Sequence, residues 1–182
     1  MGCSSGCSKN SETTDSTQEV SPIHWTECGY DIGDHACDFT LTDQSGNEWN
    51  LYSHYGDIII LDFSTEWCGY CHVAAEETQA VHDEHKSKGF QYATIMVEDF
   101  SGNSPPLDSA IQRWVEHYGI TSAPVLAGNR DMIDSGEGGW PVTGWPTFYI
   151  LNDDLVIVEI IRGYSAQSLD NAIQSVLNPS TE

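Results

Sequence analysis

The apolar run Ile58-Ile59-Ile60-Leu61-Asp62-Phe63 shows no alternation with polar residues, as a central strand covered on both faces requires. A strand is expected from about Asp57 to Phe63, followed by a helix from about Gly69 to His85. Upstream, Phe39-Thr40-Leu41-Thr42 alternates apolar and polar positions, Gln44-Ser45-Gly46-Asn47 supplies turn chemistry, and Trp49 and Leu51 resume the pattern, so a β-hairpin is predicted. Phe90 to Val97 reads as the next strand. After the turn Asn103-Ser104-Pro105-Pro106, Ile111, Trp114, Val115 and Tyr118 fall at helical spacing and mark one core-facing side. A Gly-rich loop from about Ser122 to Trp145 holds one short strand at Val125-Leu126. Thr147 to Leu151 and Leu155 to Ile161 form two strands across the hairpin-type turn Asn152-Asp153-Asp154. Leu169, Ile173, Val176 and Leu177 mark a closing helix, with Ser165 as its N-cap. Helices alternating with strands, then a hairpin and a last helix, make an α/β sandwich of three layers.

The length, 182 residues, suits one domain with a full core. The polar, Ser/Thr-rich start has too little apolar content to fold, so residues 1–22 read as a flexible tether, 23–178 as the domain and 179–182 as a tail. Twenty-eight acidic against 6 basic side chains leave a net charge of -22. That balance excludes nucleic acid as a partner, because phosphate binding needs clustered Lys and Arg, and anionic membrane surfaces should repel the chain. Such acidity keeps a protein soluble and suits a saline setting without naming a partner. No run reaches the length of a membrane-spanning helix.

Candidate chemistry enters with Trp67-Cys68-Gly69-Tyr70-Cys71, which puts two cysteines where the buried strand hands over to the helix. A sulfur in the first turn faces unpaired backbone N–H groups and the positive end of the helix dipole, both of which favour thiolate. Cys68 is therefore the expected nucleophile, and Cys71, one turn further in, the resolving thiol that attacks a mixed disulfide formed at Cys68. Six cysteines exceed what a reducing cytosol favours, and Cys28 and Cys37, ahead of the first central strand, are candidates for a structural disulfide or for two free thiols.

The element order, with Trp-Cys-Gly-x-Cys after the first central strand and Trp145-Pro146-Thr147 before the late hairpin, resembles the thioredoxin superfamily, and more narrowly its extracytoplasmic TlpA/ResA-like members. The match runs from about Gly33 to Leu177. It implies a thioredoxin-like α/β/α sandwich with a central mixed sheet, an N-terminal β-hairpin and an inserted helix-strand. It further implies that Cys68 is the nucleophile, Cys71 the resolving thiol, Trp67 the aromatic packed beside them, and Pro146 a cis-proline that exposes the backbone of Trp145 to a substrate peptide. Asp62 takes the place of the buried acid that accepts the Cys71 proton, usually through water; burial raises its pKa toward neutrality, where it can trade protons. Glu66 is expected to be a solvated loop residue. Three positions depart from the family pattern: Tyr70 replaces the common proline between the cysteines, Glu76 stands where a proline often kinks the helix, and no lysine evidently faces the acid.

The activity implied is thiol–disulfide oxidoreduction without a cofactor or metal, on protein dithiol or disulfide substrates, with a separate redox partner protein, by a monomer in a periplasmic or extracytoplasmic setting. Gly2-Cys3 followed by a tether resembles the mature start of a bacterial lipoprotein, with Cys3 the lipidated residue and the only link to a membrane.

Three competing readings use the same residues. Cys68-Gly69-Tyr70-Cys71-His72 is literally the attachment motif of c-type haem, although the surrounding strand pattern argues for sheet rather than a helical haem pocket. Zinc would need Cys68, Cys71 and two histidines; His82 and His85 read instead as surface residues of the helix. Thr65, three before Cys68, matches the peroxidatic motif of peroxiredoxins, but Leu61 stands where that motif has proline. Trp140 and Trp145 are candidates for an apolar platform beside the motif or for packing the Gly-rich loop onto the core.

Overall fold

The computed structural model describes Met1 and residues 23–133 and 138–178. The expected tether beyond Met1, Cys3 within it, and the tail from residue 179 lie outside the described residues. Strands β1 (Thr40–Thr42) and β2 (Glu48–Asn50) pair as the N-terminal hairpin, with Leu41 opposite Trp49. The main sheet contains β3 (Ile58–Thr65), β4 (Phe90–Glu98), β5 (Val125–Ala127), β6 (Thr147–Leu151) and β7 (Ile157–Arg162) in the order β5-β4-β3-β6-β7. The pairs β3/β4 and β4/β5 are parallel; β6 runs antiparallel to β3, and β7 to β6. This mixed sheet with three helices and an N-terminal hairpin is the expected thioredoxin-like fold.

Central placement explains the unbroken apolar run of β3, which must present apolar side chains on both faces. The three helices α1 (Gly69–His85), α2 (Asp108–Tyr118) and α3 (Ala166–Leu177) are all on one face. There Ile60, Phe90, Tyr92, Phe148 and Ile150 meet Ala74 of α1 and Leu169, Ala172 and Ile173 of α3, while Met96 and Val125 meet Ile111 and Trp114 of α2. The alternate residues Ile59, Leu61, Phe63, Ala93, Ile95, Tyr149 and Leu151 point to the other face. On that face the second helical layer of the expected α/β/α sandwich is replaced by the hairpin, by the segment carrying Trp25, Tyr30 and Ala36, and by Trp140 from the Gly-rich loop. A loop rich in glycine forgoes helix because each glycine gives up backbone entropy that a helix must recover. The cover on this side is therefore aromatic and irregular.

Two boundaries have local causes. Helix α2 stops at Gly119, whose φ of 62° is open to glycine, and the Gly119 N–H bonds the Val115 carbonyl. Strand β7 starts at Ile157 rather than Leu155, because Leu155 adopts φ 59° within the turn, where Asn152 accepts from the Asp154 and Val156 N–H groups.

Candidate active site

Helix α1 begins at the parallel β3/β4 end of the sheet, and Cys68 is its N-cap. The Cys71 N–H donates to Cys68 Sγ at 3.2 Å, so a sulfur occupies the position where Ser or Asp usually satisfies a first-turn amide. Cys68 and Cys71 are free thiols, the first 7% exposed and the second 0%. Of the two, Cys68 alone keeps any exposure. Burial pushes the Cys71 thiol well up, the nearby Asp62 carboxyl and Cys68 add to the rise, and the Thr65 backbone and Ser64 hydroxyl work against it. A thiol so reluctant to ionise needs a proton acceptor.

Asp62 and Ser64 follow each other on the helical face of β3, both buried. Ser64 Oγ donates to Asp62 Oδ1 at 2.6 Å, and the Tyr92 hydroxyl donates to Asp62 Oδ2 at 3.3 Å. Desolvation raises Asp62 from 3.8 to about 7, against the downward pull of those two bonds. Ser64 thus stands against both Asp62 and the Cys71 sulfur. The position facing the acid on β4 is Thr94, paired with Asp62 in register, so where the family often places a lysine this chain supplies a phenol from Tyr92. A neutral donor lowers the carboxyl's midpoint only modestly, so burial still prevails; a cation would lower it further.

Across the motif, the Trp145–Pro146 peptide is cis and Pro146 is buried. Trp67 packs edge-on to Trp145 with ring centroids 6.3 Å apart, and Trp67 Nε1–H donates to Glu98 Oε2 at 3.0 Å. Arg130 pairs with the other Glu98 oxygen and, with Trp67, holds Glu98 below the usual carboxylate range. The other tryptophan candidate, Trp140, is 2% exposed and packs against Tyr30, Phe39, Phe63 and Tyr149, so it belongs to the core and not to a platform.

Glu66 is not solvated. It is buried, accepts from Arg113 Nη2 at 2.8 Å and 3.0 Å, and accepts from the Phe100 N–H at 3.0 Å. A charge beside the motif could be desolvated only because α2 brings a guanidinium to it. His72 donates from Nε2 to the Glu66 carbonyl at 2.7 Å, and its Nδ1 is hydrogen-bonded to the Tyr118 hydroxyl. Both ring nitrogens are engaged, which leaves none for a haem iron. His82 and His85 are buried rather than on the surface: His82 Nδ1 accepts from the Tyr92 N–H at 3.3 Å, and burial lowers its pKa. Among the described residues no group of three or more His, Cys, Asp or Glu side chains is disposed to hold a metal ion. Cys28 and Cys37 are joined by a disulfide with Cα atoms 4.8 Å apart.

Sequence reasoning passed over Ser64, Tyr92, Glu98, Arg113 and Arg130. Ser64 had a signal, since it is two residues from Asp62 and so shares its face of the strand. The others act across strands or helices, through a register and a crossover that no local pattern encodes.

Residues 32–160 match the AhpC/TSA family. The thiol-disulfide oxidoreductase ResA of Halalkalibacterium halodurans is 22% identical over 147 residues, spanning 81% of this chain and 77% of the relative. ResA of Bacillus thuringiensis strain Al Hakam is 28% identical over 135 residues, spanning 72% and 70%. In structure, a thiol:disulfide interchange protein of the thioredoxin family from Chlorobium tepidum superposes with a TM-score of 0.63 at 19% identity, over 85% of this chain and 100% of that one. The family match covers well over half of the chain: it belongs to the AhpC/TSA family.

Proposed function

We propose that Cys68 and Cys71 are the redox pair through which this thiol–disulfide oxidoreductase works, with Asp62 as the proton acceptor for Cys71. In the reducing direction the Cys68 thiolate attacks a substrate disulfide; an S–S bond forms between Cys68 and one substrate sulfur, and the other leaves as thiolate. The Cys71 proton passes to the Asp62 carboxylate, with the Ser64 hydroxyl beside both. The Cys71 thiolate then attacks Cys68 Sγ, closing the Cys68–Cys71 disulfide and releasing the second substrate thiol. Two electrons leave the protein and reduce the substrate. The reverse sequence oxidises a dithiol. The observation that carries this reading is the asymmetry of the pair: a slightly exposed cysteine whose sulfur accepts a helix N–H, and a fully buried one beside a carboxyl whose midpoint is near neutrality.

Trp67, Trp145 and Pro146 form the substrate-facing edge in this reading, with the Trp145 backbone available to pair with an extended peptide. Protein disulfides are its substrates, a separate protein its redox partner, and the extracytoplasmic space its setting; the Cys28–Cys37 bridge supports that setting, since such bonds persist outside a reducing cytosol. We take the chain to be a monomer, tethered to a membrane, where it is tethered, through lipid on Cys3, and to comprise a single domain over 23–178.

The test is trapping. Cys71→Ser should accumulate a mixed disulfide with a protein disulfide substrate, while Cys68→Ser should form none; equal trapping by both variants would refute the assignment of roles. A thiol peroxidase is the second reading, favoured by the family match and by Thr65 at its motif position. Peroxide consumption by Cys71→Ser at the wild-type rate would establish it in place of disulfide exchange.

A further inference from the structure

Beside the motif a cavity of about 510 Å³ opens between the start of α1 and α2. Its walls include His72, Phe100, Trp114 and Tyr118, and Glu66 and Arg113 also line it. We propose that this cavity is a specificity subsite that receives an aromatic side chain of a protein substrate, two residues along the substrate chain from its reacting cysteine. The proposal rests on the oxidoreductase reading and adds to it what flanks the cysteine.

The walls are held before anything binds. Both nitrogens of His72 are engaged, so the imidazole offers only its ring; it faces Trp114 at 4.9 Å and stacks on Phe100 at 6.1 Å and 26°. Phe100 is 64% exposed, yet its N–H is fixed to Glu66, and the adjacent Asp99 carboxylate accepts from the Ser101, Asn103 and Leu107 N–H groups. An exposed phenyl ring on so well bonded a loop is ready to cover an apolar group at small entropic cost. Glu66 and Arg113 neutralise each other, His117 and Glu116 also line the cavity, and the net charge of -22 on the whole chain disfavours an acid there.

The exposed apolar groups agree. Among the described residues seven large hydrophobic side chains are exposed, and five of them, Trp67, Tyr70, Val73, Phe100 and Leu107, come from the motif, the first turns of α1 and the β4–α2 loop. Such clustering on a very acidic surface marks an interaction site. The spacing follows from the helix: His72 is four residues, or about 6 Å of rise, beyond Cys68. An extended substrate covers that span in about two residues.

The test uses the reduced full-length chain and peptides with one cysteine in mixed disulfide with glutathione, carrying Phe, Ala or Glu two residues before or after it. Stopped-flow rates should favour Phe over Ala by about tenfold on one side of the cysteine, with Glu slowest. Phe100→Ala should cut the Phe preference below about threefold and leave the rate with glutathione disulfide unchanged. Equal rates for Phe and Ala peptides, or a preference that survives Phe100→Ala, would overturn the subsite alone. Failure to react with any disulfide, glutathione disulfide included, would overturn the oxidoreductase reading and the subsite with it.

Discussion

Replacing Asp62 by Asn removes a carboxyl that the fold holds protonated far above its ordinary range. In the unfolded chain the group ionises near 3.8, and in the folded one, through burial, near about 7. Below pH 3.8 both states carry the proton and the group adds no pH dependence. Between the two values the unfolded chain ionises while the folded chain keeps its proton, so stability falls as pH rises; above about 7 both are ionised and the loss is complete. The gap corresponds to about 4 kcal/mol at 1.36 kcal/mol for each pH unit. An Asn side chain fits the same space, and the Ser64 and Tyr92 hydroxyls can rotate to meet its amide. Urea unfolding in a Cys68→Ser background keeps the motif open and the Cys28–Cys37 bridge intact. Measured from pH 4 to 8, the stability difference between Asp62→Asn and its parent should move by about 4 kcal/mol in favour of Asn. A difference that stays flat over that range would show that Asp62 titrates like an ordinary surface carboxylate, and the argument for its role as acceptor would fail.

Ser64→Ala removes a bond that pulls Asp62 down, so the pH midpoint for resolution of the mixed disulfide should move upward by about one unit, read by the release of a trapped fluorescent thiol. Trp140→Ala empties a buried site among four aromatic rings and should cost about 3–5 kcal/mol by chemical denaturation, whereas Trp145→Ala, half-buried at the edge, should cost less and act mainly on protein substrates. The pair Cys28→Ser and Cys37→Ser opens a loop with a sequence separation of 9, worth about 2–3 kcal/mol of unfolded-state entropy. Its rate with small disulfides should match wild type once both are folded.

What could be read from the chain follows the reach of each signal. The β3 strand and α1 were legible because an apolar run ending in two cysteines at helical spacing is local, and α1 spans Gly69–His85 as expected. The start of β7 was not, because a buried leucine in the left-handed region looks in sequence like any strand leucine. Glu66, His82 and His85 read as surface groups because polarity alone is visible in sequence; the partners they meet, Arg113, the Tyr92 N–H and Phe90, come from other elements. The layer opposite the helices was the least legible part, since tryptophans from residues 25 and 140 meet there on a face that no periodicity marks.

Two of the six basic side chains, Arg113 and Arg130, are placed on Glu66 and Glu98 beside the motif. The remaining four face 26 other carboxylates, so the motif is locally compensated within a strongly anionic particle. Its encounter rates should then carry a kinetic salt effect whose sign depends on the reactant. Anionic glutathione disulfide should react faster as added salt screens the long-range field, a cationic peptide slower, and a neutral disulfide at a nearly constant rate.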